Sequence, residues 1–259
     1  DPMRVASGPV LRELLAREWR ERYQGSLLGA GWLALMPLAQ LAVLAFVFGT
    51  LLPARGSAGA LPYPMFLALG LFPWLLFANA VNRGVTAYLD NAGLIARVPL
   101  PASIYVHARV LASVAVDLGA LLLVLVVLAA FGLRFDAAGA LAAAVGLGVL
   151  VAMALALARI AALLQVFVRD LAAAVGQLLG LGFFLAPVLY ERAQLPAPTA
   201  AALGWNPLVA PLEAIRRGLS GQGELPWGAL LASAAAAALL LAGSVMLQRR
   251  AGRHLEDFL

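Results

Sequence analysis

Long apolar runs separated by short polar segments dominate the chain. Each run approaches or exceeds the roughly 20 residues that an α-helix needs to cross about 30 Å of hydrocarbon. A segment surrounded by lipid must satisfy its backbone hydrogen bonds internally. The pattern therefore predicts an all-α membrane protein, a single transmembrane domain over residues 1–259. We place six transmembrane helices at residues 30–52, 62–86, 104–132, 139–166, 172–190 and 228–247.

The N-terminal segment, residues 9–24, has a different pattern. Large apolar side chains recur at every fourth position from Leu11 and Leu15 onwards, and arginines and glutamates occupy the other faces. This periodicity predicts an amphipathic helix. Because the first apolar run follows closely, we expect the helix to lie in the membrane interface. An ordinary surface helix is the alternative.

Residues 191–227 do not match a simple loop. Prolines, among them Pro196, Pro207 and Pro226, interrupt a segment that still contains apolar stretches. Two short helices that dip into the outer leaflet and return would explain this composition. Non-helical backbone at that depth requires cover by protein or a water-filled cavity. A structured surface loop is the alternative.

The arginines indicate an orientation. An even number of spans places both termini on one side of the membrane. With the N-terminus in the cytoplasm, most arginines outside the spans lie in cytoplasmic segments, as the positive-inside rule requires. We therefore expect both termini to be cytoplasmic.

Composition supports a membrane protein. Apolar residues make up 63% of the 259 residues, charged residues make up 12%, and the mean hydropathy is +0.93. A soluble globule of this length could not bury so much apolar surface. The basic residues are all arginine and are dispersed, with a net charge of +5. That charge fits anionic lipid or an anionic substrate better than nucleic acid.

The residues available for chemistry are few. Cysteine is absent, which excludes disulfides, thiolate metal sites and thiol nucleophiles. The two histidines, His107 and His254, lie far apart without metal-ligand spacing. The sequence has no lysine and no glycine-rich phosphate loop. If ATP drives transport, the ATPase must be another chain.

A docking segment for such an ATPase is expected between the second and third spans. Asp90 or Asn91 can cap a short helix, and prolines end it after residue 98. Leu94, Ile95 and Val98 form one apolar face, which needs a partner groove if it is exposed to the cytoplasm. The alternative is an interhelical loop that folds back on its own bundle.

Polar and charged residues within the spans suggest a path. Asn79, Asn82, Arg83 and Thr86 form one stripe on the second span at i, i+3, i+4 and i+7. Such groups normally face a cavity or a partner helix, so the stripe either lines a pore or packs against a helix. Separately, Asp117 and Arg159 have similar estimated depths, and we predict a structural ion pair between them; a proton relay is the alternative.

Aromatic rings in the spans are candidates for contact with sugars, because rings stack on sugar faces without demanding one particular sugar. Packing and interfacial belts are the alternative role for each ring. The candidates are Phe46, Phe48, Phe72, Trp74, Phe77, Phe183 and Phe184.

Seven short motifs occur in an order that resembles a known family. They are Arg22–Gly29, which is similar to an Arg-Tyr-x-Gly-Ser-x-Leu-Gly turn, Phe46–Gly49, Leu69–Trp74, Asn91–Ile95, Val166–Asp170, Phe183–Val188 and Trp205–Leu208. Over essentially its whole length the chain resembles the membrane subunits of type-2 ATP-binding-cassette exporters. Within that family it resembles the exporters of O-antigen, teichoic acid and capsule polysaccharide.

The resemblance implies a function and an assembly. It implies a channel-forming permease, not an enzyme, that moves lipid-linked polysaccharide across the bacterial inner membrane from the cytoplasmic side. It also implies a homodimer bound to two ATPase subunits, which hold the ATP and Mg, so that this chain has no cofactor. Residues 9–24 would be the interfacial helix, 90–99 the coupling helix and 191–220 the outer gate. The residues expected to contact the ATPase are Asn91, Leu94, Ile95, Arg97 and Val98.

The N-terminal arginines are candidates for the lipid carrier. Arg17, Arg20 and Arg22 would lie near the headgroups, where a diphosphate on the carrier would also lie. A solvated face or contact with anionic membrane lipids is the alternative.

Two other functions remain open at this point. A type-2 exporter of a drug or other small amphiphile would share the same topology. A membrane enzyme would need convergent carboxylates or histidines, and those present are scattered.

Overall fold

The structure is a computed structural model, and it describes residues 11–18, 20, 28–51, 61–95, 101–133 and 137–251. A π-helical turn, Val47–Leu51, continues the second helix, and 3-10 turns lie at Gly29–Gly31 and Arg192–Gln194. The α-helices are α1 (residues 11–18 and 20), α2 (Trp32–Phe46), α3 (Tyr63–Val85), α4 (Ala87–Asp90), α5 (Ala92–Ile95), α6 (Ser103–Ala130), α7 (Ala137–Phe167), α8 (Leu171–Leu185), α9 (Ala197–Leu203), α10 (Val209–Ser220) and α11 (Trp227–Ala251).

Within the described residues, four helices, α3, α6, α7 and α11, are long and apolar enough to cross a membrane. Helices α2 and α8 are also apolar but have 15 residues each. Fifteen α-helical residues make about 22 Å, less than the roughly 30 Å of hydrocarbon in a bilayer. The π-helical turn Val47–Leu51 lengthens α2 beyond this, whereas α8 ends at Leu185. The predicted all-α membrane fold is confirmed, and the number of six spans stays a prediction.

Helix α3 lies at the centre of the bundle and packs against α6, α7 and α10. Its side chains Phe66, Leu67 and Phe77 are almost completely buried. The close contact with α6 and α7 depends on Gly84, because a Cβ at this position would collide with Ala158 and lie 3.0 Å from Val110 Cγ2. A larger residue would push the three helices apart.

Helix α10 is buried along nearly its whole length, against α7, α3 and α11. A Cβ on Gly218 would lie 3.1 Å from the carbonyl carbon of Gly139 in α7 and closer still to its oxygen. The helix ends at Ser220, and the next residue, Gly221, has a φ of +65°, which favours glycine. Two short helices, α9 and α10, are thus present within the predicted gate region. Their depth in a membrane stays a prediction.

The other two predicted segments are described in part. Residues 11–18 and 20 of the proposed interfacial helix are helical, and the rest of 9–24 lies outside the described residues. In the proposed coupling segment, Asp90 is the last residue of α4, and one short helix, α5, follows at Ala92–Ile95. Residues 96–99 lie outside the described part of the chain.

Candidate functional site

The predicted polar stripe of α3 lies on the open side of that helix. Asn82 is exposed and Asn79, Arg83 and Thr86 are half-buried, whereas the neighbouring Leu76 is buried in the core. The four side chains follow the 3.6-residue period of the helix, so they share one face.

A cavity of about 440 Å³ begins at Asn79 and extends between α2, α3 and α6. Its volume is within the range of about 300–1,000 Å³ that is usual for small-molecule sites. Its wall combines polar groups with aromatic rings. The lining residues are Trp32, Leu33, Met36, Pro37, Gln40, Phe72, Leu75, Asn79, Val116, Asp117 and Ala120.

The polar groups of this cavity are held by hydrogen bonds. Asn79 Nδ2 donates to Asp117 Oδ1 at 3.1 Å, and Ser113 Oγ donates to Asp117 Oδ2 at 3.3 Å. Ser113 lies one turn before Asp117 on α6, so both donors come from the helices that line the cavity. The carboxylate is therefore oriented before any ligand arrives.

The predicted ion pair between Asp117 and Arg159 was wrong. Arg159 donates through Nη2 to Gln248 of α11, and Gln248 Nε2 in turn donates to the Tyr88 hydroxyl of α4. Similar depth along the helix axes did not place the two charges on facing sides: Asp117 faces α2 and α3, whereas Arg159 faces α4 and α11. Tyr88 is buried, and burial raises its pKa to about 12, which keeps its hydroxyl neutral.

A partly buried network of charges joins α1 to the end of the stripe. Glu18 of α1 contacts Arg83 of α3 at 3.1 Å and Arg109 of α6 at 2.9 Å. Arg109 also donates to the Thr86 hydroxyl at 2.9 Å and pairs with Asp90 of α4. We call Glu18, Arg83, Arg109 and Asp90 the α1 charge network. It connects four helices at one end of the bundle.

The sequence interpretation missed this network. Reading α1 in steps of four residues placed Leu11 and Leu15 on the apolar face and left Glu18 among the polar residues. In the structure Leu11 and Leu14 pack against the core, and Glu18 follows them on the same face at i+7 and i+4. The sequence signal that could have predicted the network is Glu18 itself, a single carboxylate on a helix face otherwise formed by leucines.

At the other end of the bundle, the Trp-Asn-Pro element joins α8 to α10. Asn206 donates through Nδ2 to the carbonyl oxygen of Leu185 at 3.3 Å, and its Oδ1 accepts from the Leu208 backbone N–H at 3.0 Å. Tyr63, at the start of α3, donates to the Leu189 carbonyl oxygen at 2.7 Å. These bonds fix the chain between α8 and α10 while Trp205 points away from the bundle.

Comparison with known proteins identifies the family. A family model described as "ABC-2 type transporter" matches residues 9–219. The chain belongs to the ABC-2 type transporter family. Membership indicates transport rather than catalysis, and it agrees with the membrane-spanning helices described above.

Three curated relatives are similar to this ABC-2 chain. O-antigen export system permease protein RfbA of Myxococcus xanthus is 30% identical over 204 residues, or 78% of this chain and 76% of that protein. A protein of the same name from Klebsiella pneumoniae is 26% identical over 195 residues, 75% of this chain and 73% of the relative. Polysialic acid transport protein KpsM of Escherichia coli is 25% identical over 207 residues, 80% of each.

Five of the seven predicted sugar-contacting rings of this ABC-2 chain divide into three groups. Phe72 lines the cavity beside Asn79. Trp74 is buried and packs edge-on against Phe183 with ring centroids 6.3 Å apart. Phe46 and Phe184 point outward from α2 and α8. Only Phe72 of these five therefore lies in the described cavity.

The predicted ATPase-contacting residues have mixed exposure. Asn91 is buried and donates to the Ala87 carbonyl oxygen at 2.9 Å, and Ile95 is part of the hydrophobic core. Leu94 is half-buried and Gly93 is exposed. Gly93 and Leu94, which we call the tip of α5, are therefore accessible residues of this helix. Arg97 and Val98 lie outside the described residues, and the ATPase contact stays a prediction.

The predicted phosphate-contacting arginines are described in part. Arg17 is half-buried, and Arg20 is exposed and pairs with Glu13 at 3.1 Å. Arg22 lies outside the described part of the chain. Among the described residues there is no group of three His, Asp or Glu side chains that could hold a metal ion.

Proposed function

We propose that the chain is the channel-forming permease subunit of an ATP-driven exporter of lipid-linked polysaccharide. The polymer would enter from the cytoplasmic side of the bacterial inner membrane. The observation that carries this proposal is similarity over at least 75% of the chain to relatives named for O-antigen export and polysialic acid transport.

The cavity between α2, α3 and α6 supports this substrate class. A sugar presents hydroxyl groups at its rim and C–H groups on its faces. Asp117 and Asn79 can exchange hydrogen bonds with hydroxyls, while Phe72 and Trp32 offer aromatic surface for the faces. A purely apolar drug would offer no hydrogen-bonding group to the polar wall that Asn79 and Asp117 form.

ATP hydrolysis is assigned to a separate partner chain, which would hold the ATP and Mg. The accessible tip of α5, with Gly93 and Leu94, is the proposed contact in the described residues. A movement of α5 at this contact would be transmitted to the polar stripe of α3 through few residues. Asp90 precedes α5 and pairs with Arg109 of the α1 charge network. Arg97 and Val98 complete the proposed contact by sequence.

A homodimer with two ATPase subunits is the proposed assembly, with both termini of each copy cytoplasmic. Among the described residues, helices α2 and α8 pack against few other helices, and both present large apolar side chains outward, including Val43, Leu178 and Leu181. These faces need lipid or a second copy to cover them. A path between two copies would place the cavity, which α2 also borders, near the dimer axis.

The test is stimulation of ATP hydrolysis by the substrate. The chain is purified with its ATPase and reconstituted in lipid, and hydrolysis is measured with lipid-linked polysaccharide from the same cells. We expect stimulation by the glycolipid and none by small hydrophobic drugs. Stimulation by the drugs alone would instead favour an exporter of small amphiphiles.

The cavity provides a matched pair of variants for this test. Asn79→Leu fills the polar wall with an apolar side chain, and we expect it to reduce stimulation without preventing assembly. Leu239→Ala, on the outward face of α11, is the control and should leave stimulation unchanged. Equal stimulation in both variants would exclude the cavity from the substrate path.

A further inference from the structure

A second cavity, of about 320 Å³, lies at the end of the bundle where α3 begins and α10 ends. Its charged lining residues are Glu191, Arg192, Glu213, Arg216 and Arg217. Three arginines face two glutamates, so the wall has a formal excess of one positive charge. Neither the proposed path nor the α1 charge network uses these residues.

The two carboxylates already have partners. Glu213 contacts Arg192 Nε and Arg217 Nη2, each at 3.3 Å. Glu191 accepts from Gln194 Nε2 at 3.4 Å. Both oxygens of Glu213 are therefore engaged by guanidinium groups other than that of Arg216.

Of the three arginines, Arg216 is the one that has no salt bridge to a carboxylate among the described residues. Arg216 is only 7% exposed, and its Nη2 donates a hydrogen bond of 3.1 Å to the neutral carbonyl oxygen of Val188. The guanidinium carbon lies 3.8 Å from the centre of the Phe66 ring. Among the described residues, Arg216 Nε has no hydrogen-bond partner. Glu213 and Glu191 stabilise this buried charge only from a distance, so a direct anion contact would stabilise it further.

The position of this guanidinium is built into the fold. Gly70 of α3 faces it, and a Cβ there would collide with Arg216 and lie 3.3 Å from Val188 Cα. Glycine at position 70 therefore leaves the space that Arg216 occupies. The ring of Phe66, one turn earlier on α3, supports the other side.

We propose that this cavity binds a phosphate group, with Arg216 as its central ligand and Arg192 and Arg217 as flanking ligands. Guanidinium groups match phosphate oxygens in paired hydrogen bonds. The phosphate can be part of a lipid headgroup or free in solution, since the recognition chemistry is the same. The proposal does not depend on which substrate the chain transports.

The experiment measures thermal unfolding of the full chain in a neutral detergent. One arm adds inorganic pyrophosphate, with sodium chloride of equal ionic strength as its reference. A second arm adds phosphatidylglycerol, with a phosphate-free galactosyl diacylglycerol as its reference. A tenfold excess over Kd should raise Tm by about 3–6 °C. A rise with pyrophosphate identifies a site for free phosphate, and a rise with phosphatidylglycerol alone identifies a headgroup site.

Substitutions of arginine test whether the rise in Tm results from binding in this cavity. Arg216→Gln should abolish the rise, and Arg250→Gln, an exposed arginine at the end of α11, should leave it unchanged. If Arg216→Gln does not fold, Arg217→Gln should weaken binding at least threefold. No rise with either probe, an equal rise with the phosphate-free lipid, or an equal rise in wild type and the folded Arg216 and Arg217 variants would overturn the proposal.

Discussion

Replacement of Glu18 by glutamine removes the charge that holds α1 to α3 and α6. The carboxylate is only 9% exposed and contacts both Arg83 and Arg109. Removing one partner of a buried ion pair typically costs about 3–5 kcal/mol. The cost here should be smaller, because Arg109 keeps Asp90 and Thr86 while Arg83 is 36% exposed and can be hydrated. We expect a loss of about 2–3 kcal/mol from the free energy of unfolding.

Glu13 provides a matched control on the same helix. Its pair with Arg20 has the same 3.1 Å separation as the Glu18–Arg83 pair, but the two side chains are 77% and 61% exposed. An exposed pair contributes about 0.2–1 kcal/mol. Glu13→Gln should therefore have little effect, although the chemical change is identical.

The assay is unfolding of the purified full chain in detergent. At roughly 2–4 °C per kcal/mol, Glu18→Gln should lower Tm by about 5–10 °C, and Glu13→Gln by at most a few degrees. A single cysteine at Leu14, on the packed face of α1, should also become more reactive towards a maleimide when Glu18 is replaced. Equal small shifts in the two glutamine variants, with unchanged labelling, would refute the anchoring role of Glu18.

Three further predictions follow from the packing and the exposed faces. First, single cysteines at Asn79, Asn82 and Thr86 should react with a membrane-impermeant maleimide, because these positions share the open face of α3. Cysteines at the buried Leu76 and Val85 should not react. Equal labelling of the two sets would contradict an open stripe. Second, Gly218→Ala should lower the free energy of unfolding by about 1–3 kcal/mol, because the added Cβ would collide with the backbone of Gly139. Gly228→Ala, whose Cβ would have no atom within 4 Å, should be neutral or stabilising in a thermal melt. Similar effects of the two substitutions would refute the α7–α10 contact. Third, Leu94→Asp should weaken copurification of the ATPase. Leu195→Asp, at a position that is also half-buried but lies at the other end of the bundle, should not. Normal copurification of the ATPase with both variants would exclude α5 from docking.

The positions of the long helices could be predicted because hydrophobicity and length decide them. The run predicted at 62–86 forms Tyr63–Val85, and that predicted at 104–132 forms Ser103–Ala130. Both signals are local: a helix in lipid satisfies its own backbone and needs no information about its neighbours. The grouping of Asn79 with the exposed face of α3 was predictable for the same reason, from the helical period.

Contacts between helices were less predictable. The depth of Asp117 and Arg159 along their helices said nothing about the direction of either side chain, and the structure separates them. Ile95 was predicted on an exposed face, yet it packs into the core, because the short helix α5 folds back towards the bundle. The partnership of Glu18 with Arg109 joins residues 91 positions apart. Such contacts depend on the packing angles of whole helices, which local sequence patterns do not contain.

The most direct measurement of the central claim is transport of lipid-linked polysaccharide in inside-out membrane vesicles that contain the chain and its ATPase. Polysaccharide that starts on the outer surface of these vesicles is accessible to an impermeant lectin. We predict that ATP makes it inaccessible with time, and that vesicles with the Asn79→Leu variant protect it more slowly. Polysaccharide that stays fully accessible while the ATPase turns over would contradict the proposed export function.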